Sequence, residues 1–194
     1  KPTRNGLRLG YGQVGEDITA NAVKFKGLPA FIETTTGPFS GAVRFEVVLT
    51  IADWEKVDPS MAKNPRNLGS GIMGRKTGQQ SEYLSVFAFG ISEIQEESEV
   101  VFRTEVEKSE RMQEIGYEVM PYRLCSNAEA ASEYYEYITE TRFNLPFWID
   151  GVVMKVNDVS HQESLGITNH RPKGQIAWKF EAEGAETTLN SYSI

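Results

Sequence analysis

Three of the four apolar segments that read as β-strands carry charge among their apolar neighbours. Residues 42–51 (AVRFEVVLTI) hold Glu46, residues 147–156 (FWIDGVVMKV) hold Lys155, and residues 175–180 (QIAWKF) hold Lys179; the fourth segment, residues 83–90 (YLSVFAFG), is uncharged. Their β-branched and aromatic content is that of strands. Side chains alternate across a strand, so Arg44, Glu46 and Val48 share a face. Lys and Glu are seldom fully buried unless paired. Such strands either run along a sheet edge with their charges in water or border a polar pocket. Three of them, beside residues 64–77 with their glycines and arginines, favour a pocket that takes an anion. Those residues read as a loop, in which Asn64-Pro65-Arg66-Asn67 offers a guanidinium fork suited to phosphate or carboxylate, and the glycines let backbone approach a ligand.

Helical patterns lie between the strands. Residues 16–27 open Glu-Asp-Ile-Thr-Ala-Asn, with acids in a first turn. Residues 105–115 predict an exposed helix. Residues 127–141 predict a clearer one, with Ser126 or Asn127 as N-cap and Tyr134, Tyr135 and Ile138 on its apolar side. Asn5-Gly6 marks a hairpin. Strands and helices mix without regular alternation, which is α+β rather than a doubly wound sheet. The 194 residues amount to one domain, with no linker or repeat dividing residues 1–194. The acidic run 93–99 reads as solvated surface.

Charge and composition exclude several classes. Acidic residues number 27 against 20 basic, net −7, a poor balance for bulk phosphate binding. No apolar run reaches the roughly 20 residues of a membrane helix, and residues 1–15 lack the apolar core of a signal peptide. Cys125 is the only cysteine; it forms no internal disulfide, which points to a reducing compartment, the cytoplasm. With His161 and His170 as the only histidines, no structural zinc set and no other protein metal site is expected. Gly10, Gly12 and Gly15 spell G-x-G-x-x-G, but without the long apolar strand a dinucleotide fold needs before it. Residues 69–77 (GSGIMGRKT) place Arg75 where a phosphate-binding loop has its lysine, with Lys76 one residue late.

Five ordered motifs carry a family likeness. They are Gly12-Gln13-Val14-Gly15-Glu16-Asp17-Ile18-Thr19-Ala20-Asn21; Glu46 in Val43-Arg44-Phe45-Glu46-Val47; Asn64-Pro65-Arg66-Asn67; Ile149-Asp150-Gly151-Val152-Val153-Met154-Lys155-Val156-Asn157; and Leu165-Gly166-Ile167-Thr168 with Pro172 and Ile176-Ala177-Trp178-Lys179-Phe180. From about residue 5 onward the chain resembles the adenylation domain of NAD-dependent DNA ligases. The resemblance implies a nucleotidyltransferase fold, ATP-grasp-like, with antiparallel sheets and flanking helices. It also implies a reaction: a lysine takes AMP from NAD+, releasing nicotinamide mononucleotide, and AMP passes to the 5′-phosphate of nicked double-stranded DNA before the nick is sealed. Mg2+ belongs with the phosphates. By position Lys155, Lys179, Arg66 and Asp150 would serve the chemistry. Glu46, Phe89, Val153, Lys155, Lys179 and Arg8 would bind the nucleotide: Glu46 at the ribose, with Phe89 (a tyrosine in the family) and Val153 on the two adenine faces.

Departures are equally specific. The nucleophile motif K-x-D-G is absent, since Trp148 stands where Asp150-Gly151 would need a lysine. By family position that lysine, and the segment gripping the nicotinamide half of NAD+, precede residue 1. The family's T-R-G-D-G reads Arg8-Leu9-Gly10-Tyr11-Gly12, a second arginine falls at Gly74 beside Arg75, and Gly174 replaces a tryptophan. Partners implied are nicked DNA and the remaining ligase parts: the N-terminal nicotinamide-mononucleotide-binding segment, the OB-fold and the zinc and helix-hairpin-helix regions. Fragment, split subunit and non-catalytic nucleotide-binding module stay open, as does an ATP-dependent polynucleotide ligase or capping enzyme.

Overall fold

The computed structural model describes residues 15–29, 32, 39–57, 64–95, 98–168, 171–181, 188 and 191. Helices are α1 (Thr19–Ala22), α2 (Ile51–Trp54), α3 (Pro65–Met73), α4 (Glu105–Glu114), α5 (Ala128–Thr141) and α6 (Val159–Leu165). Strands are β1 (Gly41–Leu49), β2 (Leu84–Gln95), β3 (Ser98–Glu99), β4 (Gly151–Lys155), β5 (Ile167–Thr168), β6 (Arg171–Pro172) and β7 (Gln175–Lys179). Among the described residues they form three antiparallel sheets, β1-β2-β3, β4-β7 and β5-β6. Mixed helix with antiparallel sheet is the α+β class predicted above. Within the described residues no helix is long and apolar enough to cross a membrane.

One face of the β1–β2 sheet carries the core. Leu49, Leu84 and Val86 are buried with Phe25, Val57 and, from α3, Leu68 and Ile72. Further along, Ala88 and Ile91 of β2 pack on Met112 and Ile115 at the end of α4. The two helices thus seal opposite ends of one sheet face. The other face, with Arg44, Glu46 and Val48, is left to the cleft described below.

Four expectations change. Residues 64–77 are not a loop: they begin with the nine-residue helix α3. The Asn64 side chain caps it by accepting from the Asn67 N–H at 2.8 Å, Pro65 supplies the preset first-turn φ, and Leu68 and Ile72 sit one turn apart on the buried face. Gly69, which argues for a loop, sits on the buried face of the helix, where a Cβ would stand at ordinary contact distance, 3.4 Å, from the Leu49 Cβ. Glu93 is not solvated. It is 2% exposed and takes a two-pronged hydrogen bond from Arg111 (2.6 and 2.8 Å), which holds its carboxyl below the ordinary range against the opposing effect of burial. α4 is accordingly half-buried rather than exposed. The 16–27 helix shrinks to α1, where Asn21 is buried and its amide donates to the Met73 and Arg75 carbonyls at 2.7 and 2.8 Å. That bond ties the Glu-Asp-Ile-Thr-Ala-Asn motif to the far end of α3.

Asp53 of α2 is the most constrained acid of this half. Its side chain is 7% exposed and accepts from Lys26 (2.6 Å), Lys56 (3.0 Å) and the Thr50 hydroxyl (2.9 Å). Burial would push the carboxyl up, but these donors outweigh it and hold the pKa at about 2, down from 3.8. A depressed acid adds stability above its ordinary pKa and loses it as pH falls through the folded value. Asp53→Asn is expected to lower unfolding stability at pH 7 by about 1–2 kcal/mol. It should also flatten the stability loss between about pH 4 and 2. Urea unfolding across that range checks both.

Candidate nucleotide-binding cleft

The open face of the β1–β2 sheet looks across a cleft at the β4–β7 pair. The cleft encloses about 2640 Å³, well above the roughly 300–1,000 Å³ of a small-ligand pocket. Glu46, Arg66, Phe89, Asp150, Val153, Lys155 and Lys179, the described residues among those given a role from sequence, all line it. The segment leading into β4 braces it: Phe147 is buried against Phe87 of β2 (centroids 5.1 Å), and the Ile51 N–H donates to the Pro146 carbonyl at 2.8 Å.

Phe89 owes its position to a bulge. Arg44 pairs with Gly90 and Phe45 with Ala88, so Phe89 is skipped in the register. An extra residue of this kind bends the strand and leaves its own groups unpaired. The Phe89 carbonyl accepts instead from Lys155 Nζ at 3.2 Å, and its ring, 38% exposed, stands in the cleft. Ala88 turns its backbone outward, exchanging hydrogen bonds with Glu118 and Met120 (2.8 and 2.9 Å).

On the opposite wall, β4 and β7 pair as Gly151↔Lys179, Val153↔Ala177 and Lys155↔Gln175. Directly opposed residues share a face, so Lys155, Val153 and Lys179 point one way. Val152 and Trp178 point the other way, where Trp178 stacks on Tyr135 of α5 (centroids 4.2 Å, planes 7° apart). Helix α5 thus backs the hairpin and leaves its charged face to the cleft. Gly151 lets the strands close. A Cβ there would fall 2.5 Å from the Trp178 carbonyl oxygen and 2.7 Å from the Lys179 Cα.

Asp150, just before β4, joins both walls. Its Oδ2 accepts from Arg66 at 2.7 Å and from Lys179 at 3.0 Å. The Arg66 hydrogen bond first, then Lys179, pulls its carboxyl below the ordinary range. The Arg66 pKa rises in turn, through Asp150 chiefly and Glu46 to a lesser extent, which places Glu46 within reach of this cluster. All three side chains are more than half exposed. Ion pairs that open to water are worth about 0–1 kcal/mol, so this cluster does little for folding. It holds two cations at the mouth of the cleft.

Lys155 has a different partner. Its ammonium meets Glu105 Oε2 at 3.0 Å, and the other Glu105 oxygen accepts from Lys108 at 2.8 Å. Burial pushes the Glu105 carboxyl up, but the two lysines outweigh it and keep it low. Neither Glu105 nor Lys108 was legible as a site residue. Their i,i+3 spacing on a charged helix carries no sign that the helix start faces β4. Arg75 turns away from the cleft onto the Gln79 carbonyl and Gln80 side chain. Arg8 and the Gly10–Gly12 motif lie outside the described residues.

Comparison with known proteins shows the family. A family model described as the NAD-dependent DNA ligase adenylation domain matches residues 3–183. The chain belongs to that family. It is 34% identical to the DNA ligase of Macrococcus caseolyticus over 97% of its length, 33% identical to that of Lawsonia intracellularis over 95% and 35% identical to that of Carboxydothermus hydrogenoformans over 97%. It spans about 29% of the length of these relatives. The adenylation domain's described residues contain no group of three or more potential metal ligands, and Asp150 and Glu105 are each neutralised by two cations. This donor set does not fit a protein-held Mg2+.

Gly151→Ala is expected to destabilise the chain by about 1–3 kcal/mol, because the clash is with backbone. It should also splay Lys179 from Asp150. Thermal unfolding checks the first effect; proteolysis of β7 checks the second.

Proposed function

We propose that the cleft binds the AMP portion of NAD+ and that the chain works in NAD+-dependent DNA ligation, in the cytoplasm. One observation carries the reading: the charged face of the β4–β7 pair has two different ends. Lys179, opposite Gly151, stands with Arg66 and Asp150; Lys155, four residues along β4, stands with Phe89. At about 3.3 Å per residue the ends lie about 13 Å apart, a fair span for a mononucleotide from base to phosphate.

Each end suits one part of the ligand. Phe89 and Val153, both exposed on the cleft walls, take the two faces of the adenine, the ring by stacking. Glu46 accepts from the ribose hydroxyls. Arg66 and Lys179 trade part of their hold on Asp150 for the phosphate, stabilising the charge that develops when the adenylyl phosphorus is attacked. Asp150 keeps the two cations in register before the ligand arrives. NAD+ supplies the adenylyl group. The acceptor lysine of the family, in K-x-D-G, is not among residues 1–194. Residues 1–194 therefore supply binding and charge stabilisation, and nicked DNA and the remaining ligase segments complete the reaction.

Calorimetric titration with AMP, NAD+ and ATP tests this. Saturable AMP and NAD+ binding is expected, weakened about tenfold by Lys179→Ala, Arg66→Ala or Glu46→Ala, the value of one charge-assisted hydrogen bond. Substitutions that leave binding unchanged, or a folded chain that binds none of the three, would overturn the reading. ATP binding that depends on the same residues and exceeds NAD+ binding would favour the ATP-dependent alternative.

A further inference from the structure

We infer that Glu105 is the positioning residue for Lys155: it holds the ammonium at the Phe89 wall so that one N–H is left for the nucleotide. The inference rests on the AMP reading of the cleft for its ligand, and on contacts within α4, β2 and β4 for its geometry.

Glu105 is itself fixed from three directions. It is the first residue of α4, whose N-cap Thr104 accepts from the Glu107 N–H at 3.1 Å. Its backbone N–H donates to the Asn157 carbonyl at 2.9 Å, and the next N–H, of Val106, reaches the Asn157 side-chain oxygen at 3.3 Å. Asn157 lies two residues beyond Lys155, so the helix start is fastened to the exit of β4. Lys108, one turn on, takes the Glu105 oxygen that Lys155 does not use. The carboxylate therefore cannot follow the lysine; the lysine must come to it.

Lys155 is the movable member. A lysine ends a flexible four-carbon stem and has three N–H donors. Glu105 and the Phe89 carbonyl take two of them, and the ammonium stands 6.0 Å from the Phe89 ring centroid. Side-chain exposure is 28% for Lys155, 18% for Glu105 and 21% for Lys108. These groups are far better shielded than the Arg66–Asp150–Lys179 cluster, so their attraction is screened less. The trio Lys108–Glu105–Lys155 keeps one net positive charge. Glu105 thus orders the ammonium without cancelling the pocket's pull on an anionic ligand.

The test uses two readouts on this chain. Selective ¹⁵N-lysine labelling should show an ordered Lys155 ammonium resonance, assigned by its loss in Lys155→Ala, without any ligand. Glu105→Gln should broaden or erase that resonance and weaken AMP binding about five- to tenfold, the loss of one charge-assisted hydrogen bond. In a Lys155→Ala background the same substitution should change AMP affinity by less than about twofold, since the effect runs through Lys155. Glu105→Asp should restore part of both signals, and Lys108→Met should shift both modestly in the direction of Glu105→Gln. Circular dichroism establishes that each variant is folded.

An unchanged ammonium resonance in folded Glu105→Gln would overturn the inference. So would tighter AMP binding by that variant, or an equal loss with and without Lys155. If the wild-type chain binds no AMP, the nucleotide reading of the cleft fails. The ammonium resonance still decides whether Glu105 holds Lys155.

Discussion

A single carboxylate oxygen connects the two walls of this molecule. Asp150 Oδ2 accepts from Arg66, on the helix packed against the large sheet, and from Lys179, on the far strand of the small one. Each partner is placed by its own local logic. Arg66 stands in the first turn of a helix begun by an Asn cap and a proline. Lys179 sits opposite Gly151, where the absence of a side chain lets the backbones meet. Without Asp150, two like charges would face each other at the cleft mouth. With it, they are held in register at little energetic gain, because all three groups remain open to water.

Stability and the proposed binding role are thus divided between the two faces of the large sheet. The face toward α3 and α4 is apolar and closed, and two buried acids of this half, Asp53 and Glu93, are paired by short hydrogen bonds. The face toward the cleft carries Arg44 and Glu46 and exposes Phe89 beyond what a core would tolerate. The bulge at Phe89 marks the boundary. It breaks the ladder by one residue, turns an aromatic ring toward the cleft and leaves a carbonyl for Lys155. The conflict between local regularity and placement is resolved in favour of the site, as is common where a protein binds a ligand.

Much of this arrangement was legible beforehand. The alternation of residues 42–51 put Arg44 and Glu46 together on the face opposite the core, and the charged residues inside strands announced a polar pocket. The helix within 127–141 is legible too, and of its two candidate caps, Ser126 and Asn127, the structure uses Asn127. What escaped was tertiary. Three glycines within residues 64–77 argue for a loop, and the helix there is held by its Asn64 cap and by Leu68 and Ile72 buried against the sheet. Glu93 sat in an acidic run that looked solvated until Arg111 arrived from a helix 18 positions away. Glu105 and Lys108 looked like surface charges because the pairing that matters, with Lys155, spans 50 positions. Short-range pattern gives the faces of elements; it is silent on which faces meet.

In the proposed complex adenine lies between Phe89 and Val153 with its phosphate at Arg66 and Lys179. Nuclear Overhauser contacts from bound AMP to selectively labelled Phe and Val side chains would test it most directly. Contacts are expected from the adenine H2 and H8 protons to the Phe89 ring and the Val153 methyls, all lost in Phe89→Ala. Bound AMP whose base protons touch neither residue would contradict it.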